Sequence, residues 1–491
     1  MSRNIGSTVL ILVFFLILSI ASGYAETIYV NSTATGANDG TSWNDAYVDL
    51  QPAIEAAAPG DEIWVAAGIY KPTSRPNGGK DRGRHFSLKN GVAIYGGFTG
   101  TETSLNERDL VTNQTILSGD IGIEGDDSDN CFEVFYHPEG TDLDTSAILD
   151  GFTITGGKAY GPVRFHEDGG GMYNHSSSPA LSNCTFIGNS AVRSGGGMRN
   201  AFSSPTLTNC TFSGNSARWR GGGMSNFSSS PTLTNCTFSS NSADIGDGGG
   251  MYNDYSSSPT LTNCTFSGNS ANHGGGMRNS SSSSPILANC TFSGNSADDG
   301  GGMSNSSSSP TLTNCILWNN DAEASINEVF NLESTPIFTY CDIKGSFVDG
   351  AWDEELGTNG GNNIDSDPLF VRNPGTNGED DAGDLHLTSE STCIDAGDPS
   401  LTDGQDMDGE TRVFDGDEDG IAIVDMGADE YVDADYDGIV DRDDPIVEPT
   451  DTDGDDGDSG GSNGGSGGTG GSNGGGSGGG CFINAMFGAW E

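Results

Sequence analysis

The apolar positions of this chain recur at one fixed interval. Cysteines stand at positions 184, 210, 236, 264, 290, 315 and 341, and the methionines of six GGGM segments keep the same spacing of about 26 residues. Between them, the chain consists mostly of Ser, Thr, Gly and Asn. A fixed period of this size predicts a solenoid, in which each coil buries its apolar side chains by stacking on its neighbours.

The pattern inside one interval favours strands over helices. In the segment TLTNCTF, Cys210 and Phe212 are two positions apart, so both side chains point to the same face of a strand. Leu207 lies three positions before Cys210 and breaks this alternation, which predicts a corner at Asn209. Short strands joined by Asn and Gly corners predict a parallel β-helix, with coils about 4.8 Å apart.

This interpretation gives each repeated residue type a structural role. The phenylalanines and the seven cysteines should form columns inside the rod, and the glycines before each methionine suit a sharp bend with positive φ. One corner should carry asparagines whose amides bond between coils. The expected inner phenylalanines are Phe186, Phe212, Phe238, Phe266 and Phe292, and the corner asparagines are Asn183, Asn209, Asn235, Asn263, Asn289 and Asn314.

Two sets of motifs resemble known families. The pairing of GGGM with FxxN, as from Phe212 to Asn215, resembles the chlamydial polymorphic outer-membrane protein repeat. The segments IYVNSTATGANDGTSW, IYGGFTGTETS and LDGFTITGG, with DPLFV, CIDAGD and VDMGADEY later, resemble bacterial choice-of-anchor Q proteins. The resemblance implies an all-β, right-handed parallel β-helix of the pectin-lyase-like fold, associated with surface display and adhesion. It does not indicate an activity, because one fold hosts many functions.

The first residues predict export. Arg3 precedes the apolar run VLILVFFLILSIA, and cleavage after Ala25 would leave small residues at the −3 and −1 positions. The run is too short to span a membrane. Because no second apolar run follows it, no spanning segment is expected after signal removal. The expected location is extracellular or on the outer surface of a bacterium. Disulfides are possible there, but cysteines at equivalent positions favour buried thiols that fill the core.

The charge excludes one class of partner and suggests a metal. A net charge of −51 excludes a general nucleic-acid binder, and residues 351–460 hold 35 of the 70 acidic residues. There, DADYDGIVDRDD has the spacing of a calcium loop and resembles dockerin-type or thrombospondin type 3 loops, although its last position is Asp rather than Glu. The predicted calcium ligands are Asp433, Asp435, Asp437, Ile439, Asp441 and Asp444.

Two weaker acidic patterns precede that loop. DGDEDG contributes Asp415, Asp417, Asp419 and Gly420, and DMDGE contributes Asp406 and Asp408. These turns either bind metal or act as structural caps. For the stronger loop, the alternative to calcium is a solvated acidic linker.

The predicted organisation follows from these shifts in composition. It comprises a signal peptide (1–25), an N-terminal cap with the first coils (26–168), the repeat coils (169–345), a closing region (346–431), the acidic calcium-loop segment (432–458), a Gly/Ser-rich disordered linker (459–480) and a possible sorting tail (481–491). The tail CFINAMFGAWE resembles the tails of some exported bacterial proteins, so Cys481 is the predicted anchoring residue; the alternative is a frayed end.

The residues that differ between repeats are the candidates for ligand recognition. Variable segments precede each GGGM and should stack on one edge of the rod, where recognition residues usually lie. Trp219 with its flanking arginines could hold a sugar ring or an anionic glycan; the alternative is neutral variation at a solvated edge. The predicted ligand-binding residues are Arg164, His166, Arg218, Trp219 and Arg220.

The function predicted from the sequence is a monomeric structural or adhesive stalk that binds glycans or other cell-surface material. The main alternative is a polysaccharide lyase or glycoside hydrolase of the same fold. For a hydrolase, Asp247 and Asp298 would lie two coils apart, at about 10 Å, with His273 between them. A third possibility is a glycan-binding module without catalysis.

Overall fold

The repeated interval forms one coil of a β-helix. In the computed structural model, which describes residues 25–73, 81–161, 166–323, 328–375, 381–401, 404–417 and 420–433, each repeat contributes four short strands. Equivalent residues of successive coils lie opposite each other in parallel pairs, as Met198 does with Met224 and Phe212 with Phe238. The predicted all-β right-handed parallel β-helix is confirmed.

Four parallel sheets run along the described part of the rod, each named here after the side chain that its repeat strands bury. The methionine sheet consists of Phe135–His137, Met172–His175, Met198–Ala201, Met224–Phe227, Met251–Asp254, Met277–Ser280, Met303–Ser306 and Val329–Leu332. The leucine sheet consists of Thr27–Val30, Glu62–Ala66, Ala93–Phe98, Ile148–Asp150, Ala180–Ser182, Thr206–Thr208, Thr232–Thr234, Thr260–Thr262, Ile286–Ala288, Thr311–Thr313, Ile337–Thr339 and Thr358–Gly361. The phenylalanine sheet consists of Gly68–Tyr70, Thr115–Ser118, Thr153–Thr155, Thr185–Ile187, Thr211–Ser213, Thr237–Ser239, Thr265–Ser267, Thr291–Ser293, Ile316–Trp318 and Asp342–Ile343. The alanine sheet consists of Lys158–Ala159, Ser190–Ala191, Ser216–Ala217, Ser242–Asp247, Ser270–His273, Ser296–Ala297 and Asp321–Ala322.

A few elements stand outside these sheets. One α-helix, Leu50–Ala56, packs its buried residues against the first leucine-sheet strands, and the short 3₁₀ helices are Asp81–Gly83 and Leu105–Glu107. Two antiparallel hairpins follow the coils: Phe347–Val348 with Ala351–Trp352, and Phe370–Arg372 with Asp384–Leu387.

Identical side chains stack in the core. Consecutive phenylalanine rings from Phe186 to Phe292 lie 4.5–4.8 Å apart and within 3° of parallel. The seven repeat cysteines are fully buried beside them, so both predicted columns are confirmed. The nine cysteines that the structure describes carry free thiols. Burial raises the pKa of the Cys210 thiol well above its ordinary value, which suits a core-filling rather than a reactive group.

Asparagines satisfy the backbone at the corners. Asn209 adopts the left-handed conformation with φ of 52° and donates to the Asn183 side chain of the preceding coil, which confirms the predicted corner. Two further columns are buried inside the rod and were not predicted as hydrogen-bonded ladders. They are Asn174, Asn200, Asn226, Asn253, Asn279, Asn305 and Asn331, and Asn189, Asn215, Asn241, Asn269, Asn295 and Asn320.

The glycine triplets allow the chain to turn into each methionine strand. Gly221, the first of one triplet, has φ of 62°, as predicted for a bend. A Cβ on Gly222 would lie 2.3 Å from the carbonyl oxygen of Ser242, and one on Gly223 would lie 2.6 Å from that of Gly250. Gly221 has a positive φ that glycine adopts at little cost. Gly222 and Gly223 leave no room for a Cβ, because the backbones of neighbouring coils approach closely.

The closing region folds back onto the side of the rod. Gly427 and Asp398 donate backbone hydrogen bonds to Asn314, and Ala428 donates to the Thr291 hydroxyl. A second apolar cluster forms there, between the coils and the closing region; it contains Ile316, Trp318, Phe370, Leu387, Cys393, Ile394, Met426 and Tyr431. The closing region therefore covers the phenylalanine-sheet side of the later coils. Among the described residues, no helix is long and apolar enough to cross a membrane.

Candidate functional site

The outer surface of the methionine sheet carries side chains that differ from coil to coil. Its middle positions are Tyr173, Arg199, Ser225, Tyr252, Arg278 and Ser304, which pair in register. The residue before each GGGM forms an edge column: Asp168, Ser194, Arg220, Asp247, His273 and Asp299. The predicted stacking of variable segments along one edge is confirmed. We call this side of the rod the methionine face; Ser225 and Ser304 are buried on it and accept hydrogen bonds from Arg199 and Arg278.

The positive charges of the repeat coils gather on the methionine face. In the described coils from 166 to 323, the cationic side chains other than histidine are Arg193, Arg199, Arg218, Arg220 and Arg278, all on this face or its edge. Arg193 lies 3.3 Å from Asp168, and Arg220 lies 3.8 Å from Asp254. In a chain with a net charge of −51, the arginines of the repeat coils are therefore concentrated on one side of the rod, where carboxylates accompany them.

An open groove of about 420 Å³ lies among these arginines. It is lined by Glu167, Val192, Arg193, Ser194, Trp219 and Arg220. The Trp219 side chain is 46% exposed, and the Arg218 guanidinium lies 5.6 Å from its ring centroid. Of the predicted ligand-binding residues, Trp219 and Arg220 line the groove and Arg218 contacts the Trp219 ring, whereas Arg164 lies outside the described residues.

An acidic side chain borders the groove. Asp168 is 8% exposed and pairs with Arg193. Burial raises the pKa of Asp168 above its ordinary value, and the charges of Arg199 and Arg193 oppose that rise.

A buried carboxyl and an imidazole meet at the start of the methionine sheet. His166 Nδ1 lies 2.9 and 3.0 Å from the two carboxyl oxygens of Glu133, and its ring stacks on Phe132 at 4.8 Å. Burial raises the pKa of Glu133, which is 1% exposed, to about 7 despite the hydrogen bond from His166. Burial alone would lower the pKa of His166, but the hydrogen bond and charge of Glu133 raise it.

This pair is suited to proton transfer. A carboxyl that holds Nδ1 of an imidazole fixes the ring orientation and leaves Nε2 as the second proton-exchanging nitrogen. His166 was predicted as a ligand-binding residue and precedes Glu167 of the groove. Glu133 was not predicted, because it lies in a segment without repeats, 33 positions before His166.

The three residues considered for catalysis lie differently from the prediction. His273 Nδ1 is 2.8 Å from Asp247, and its Nε2 is 3.5 Å from Asp299. Asp298 is exposed and bonds through its backbone N–H to Asn272, so Asp299 replaces it as the second carboxyl of this group. Because the imidazole fills the space between the two carboxyls, they do not form the open pair that a glycosidase needs.

A family model described as the right-handed beta helix region matches residues 90–266 and 206–367. The chain belongs to this right-handed β-helix family. Among solved structures, it is similar to the pectate lyase Pel9A (TM-score 0.47, 14% identity, covering 83% of this chain and 97% of that one). It is also similar to a rhamnogalacturonan lyase (TM-score 0.34, 12% identity, covering 71% and 91%). No curated protein matches the chain.

These matches bear on the fold of this β-helix protein and not on its chemistry, because low identity within one fold does not indicate a shared activity. The finer resemblances, to choice-of-anchor Q proteins and to the polymorphic outer-membrane repeat, stay predictions.

Acidic groups of this β-helix protein also converge in its closing region. His386 Nε2 lies 2.6 Å from Asp408 and 3.8 Å from Asp429, whose pKa burial raises to about 7. A second group joins Asp395 to Asp415 and Asp417 of the predicted weaker pattern. The second group offers only carboxylate oxygens, the ligands that calcium prefers, whereas the first includes an imidazole nitrogen.

Asp406 of the other weak pattern has a structural role in the closing region. Its Oδ1 accepts the backbone N–H groups of Asp408, Gly409 and Glu410, which caps a turn.

The stronger calcium prediction falls largely beyond the described residues. Asp433 is buried and within them, whereas Asp435, Asp437, Ile439, Asp441 and Asp444 lie outside, as does Asp419 of the weaker loop. The signal segment before residue 25, the Gly/Ser-rich linker and Cys481 lie outside as well. Calcium binding and anchoring therefore stay predictions.

Proposed function

We propose that this protein is an exported, surface-displayed β-helical stalk that binds an acidic glycan on its methionine face. The observation that carries the proposal is the collection of every described arginine of the repeat coils around one groove-bearing face. Arg193 and Arg220 line the groove with the exposed ring of Trp219. A planar ring and forked guanidinium groups suit a sugar face and its carboxylate or sulfate.

The groove fits a binding role better than a structural one. Trp219 exposes almost half of a large aromatic side chain to water, and the fold gains little from such a residue at a solvated edge. The inward positions of the same coil are complete without it, since Phe212, Cys210 and Met224 are all fully buried. A surface rod built from identical coils can vary such outward positions with little cost to stability.

A glycan array on the mature protein, with calcium present, tests the proposal. We expect binding to acidic glycans that falls steeply with added salt, because exposed charge pairs are screened. Trp219→Ala and Arg220→Ser should each weaken the binding. Ile286→Ala removes another exposed apolar side chain on the leucine sheet and is the matched control. Equal binding by all four proteins would contradict a glycan site at this groove.

A second candidate function is cleavage of the bound glycan, and the Glu133–His166 pair favours it. An oriented imidazole beside a buried carboxyl is an arrangement that general acid–base catalysis uses. Product analysis of any glycan that binds decides between the two functions. New reducing or unsaturated ends that disappear in Glu133→Gln would establish an enzyme, whereas binding without new ends would leave the adhesive stalk.

A further inference from the structure

Four rings follow one another along the turn that ends the methionine-sheet strands. His175, Phe202, Phe227 and Tyr255 come from four successive coils, and neighbouring ring centroids are 5.5, 5.5 and 4.5 Å apart. Phe202 and Tyr255 are each 56% exposed. We call this row the aromatic stripe. It runs along the rod axis on the border of the methionine face opposite the edge column.

The fold does not require aromatic residues at these turns. Phe202 and Tyr255 have φ of 53° and 55°, a left-handed conformation that is unfavourable for bulky residues. The same turn position is serine in the neighbouring coils, at Ser176, Ser228, Ser281 and Ser307. Serine adopts the same left-handed backbone there, so Phe202 and Tyr255 differ by a large aromatic side chain that is 56% exposed to water, which points to a role other than folding.

The shape of the stripe argues against a protein partner. It is only one ring wide, whereas a stable protein interface buries about 800 Å² on each partner around an apolar core. The Arg199 guanidinium lies 5.5 Å from the Phe227 ring centroid and donates to Ser225, so one cation borders the row, while the carboxylate of Asp254 beside Phe227 pairs with Arg220. A line of ring faces with one cation complements a linear acidic glycan, whose sugar rings offer C–H faces and whose acid groups are negative.

We propose that the aromatic stripe is a second glycan subsite, in which an acidic oligosaccharide lies along the rod axis on the four rings with an acid group at Arg199. The proposal rests on the proposed function, because it assigns the same class of ligand to a site separate from the Trp219 groove. The stripe covers three coil steps, about 14 Å, so an oligomer must reach that length to contact all four rings.

Calorimetric titration with alginate-derived oligouronates of increasing length tests the subsite. The wild type should bind at two sites, and affinity at the stripe should rise with length until the oligomer spans about 14 Å. Phe202→Ser with Tyr255→Ser should lower affinity at that site by about tenfold or more, since two of the four ring contacts are lost. The Trp219 site should remain.

Matched controls use the same turn in other coils. Ser228→Ala with Ser281→Ala changes equivalent positions without removing a ring and should leave both sites intact. Serine occurs naturally at this turn, so the stripe variant should keep the wild-type melting temperature or exceed it. If the stripe variant binds all lengths as the wild type does, the second subsite is wrong while groove binding stands. If the wild type binds no oligouronate, the subsite is wrong, and the proposed function then falls only if the glycan array finds no other acidic glycan that binds.

Discussion

The buried asparagine ladder should contribute more to stability than its small polar side chains suggest, and Asn241 offers a direct test. Its amide nitrogen donates to the Phe212 carbonyl and to Asn269, each at 2.9 Å. Its side-chain oxygen accepts the backbone N–H and the amide of Asn215, each at 3.0 Å. The side chain is fully buried, so water cannot replace these partners when Asn241→Ala removes them.

The expected loss follows from those four bonds. The Asn215 N–H would be left without its partner inside the rod, which costs about 1–3 kcal/mol. The other three hydrogen bonds contribute about 0.5–1.5 kcal/mol each. We therefore expect Asn241→Ala to lower the free energy of unfolding by about 3 to 7 kcal/mol. Asn209→Gly, at an exposed corner where glycine tolerates the φ of 52°, should lower it by less than about 1 kcal/mol.

Urea unfolding followed by far-UV circular dichroism measures both variants against the wild type. Because coils of a solenoid can unfold separately, hydrogen exchange across residues 206–269 should locate the loss at the coils around Asn241. Equal losses in Asn241→Ala and Asn209→Gly would refute the argument, since it rests on burial of one asparagine and exposure of the other. A loss spread evenly over distant coils would refute the assignment to local hydrogen bonds.

Three further predictions concern the core, a buried acid and calcium. Phe238→Ala should cost about 3–5 kcal/mol in urea unfolding, because it removes a ring stacked at 4.8 and 4.7 Å between Phe212 and Phe266; a loss below about 1 kcal/mol would mean that the coils collapse into the space. Glu328 accepts from Asn320 at the end of one asparagine ladder, and burial raises its pKa from 4.5 to about 8. Stability should therefore fall as pH rises from 4.5 to 8, and Glu328→Gln should reduce this slope in melts across that range; an unchanged slope would contradict it. Calorimetry should find one calcium ion fewer in Asp435→Ala than in the wild type, and equal binding would mean that the segment is an acidic linker.

The repeated part of the fold could be predicted because its period carries the information. Once Cys210 and Phe212 share a face and Asn209 turns the chain, the register of every coil follows from the spacing of about 26 residues. The edge column and the grouping of Arg218, Trp219 and Arg220 follow in the same way, since equivalent positions must stack. The two buried asparagine ladders were missed because a polar side chain in a Gly- and Ser-rich segment does not reveal that it points inward.

The parts without a period could not be predicted in this way. Glu133 lies in the first coils, where the sequence has no repeated spacing, so its contact with His166 could not be predicted. Asp299, not Asp298, directly precedes its GGGM segment as His273 does, so the repeat spacing could have shown which of the two faces His273, and the choice of Asp298 overlooked it. The closing region packs across the coils through contacts such as Ala428 with Thr291, which are 137 positions apart.

The architecture itself explains why recognition should be confined to the methionine face. Stacking fixes the inward positions of every coil, and a change at Phe238 or Asn241 disturbs the coils on both sides. The phenylalanine-sheet side of the later coils is covered by the closing region through residues such as Met426 and Tyr431. Outward positions of the methionine sheet escape both constraints, so they can vary at little cost to stability. Phe202 and Tyr255 differ from the other coils, because they expose large aromatic rings at a turn where four coils carry serine with the same left-handed backbone. A ligand that contacts the two exposed rings would explain why aromatic residues occupy these turns.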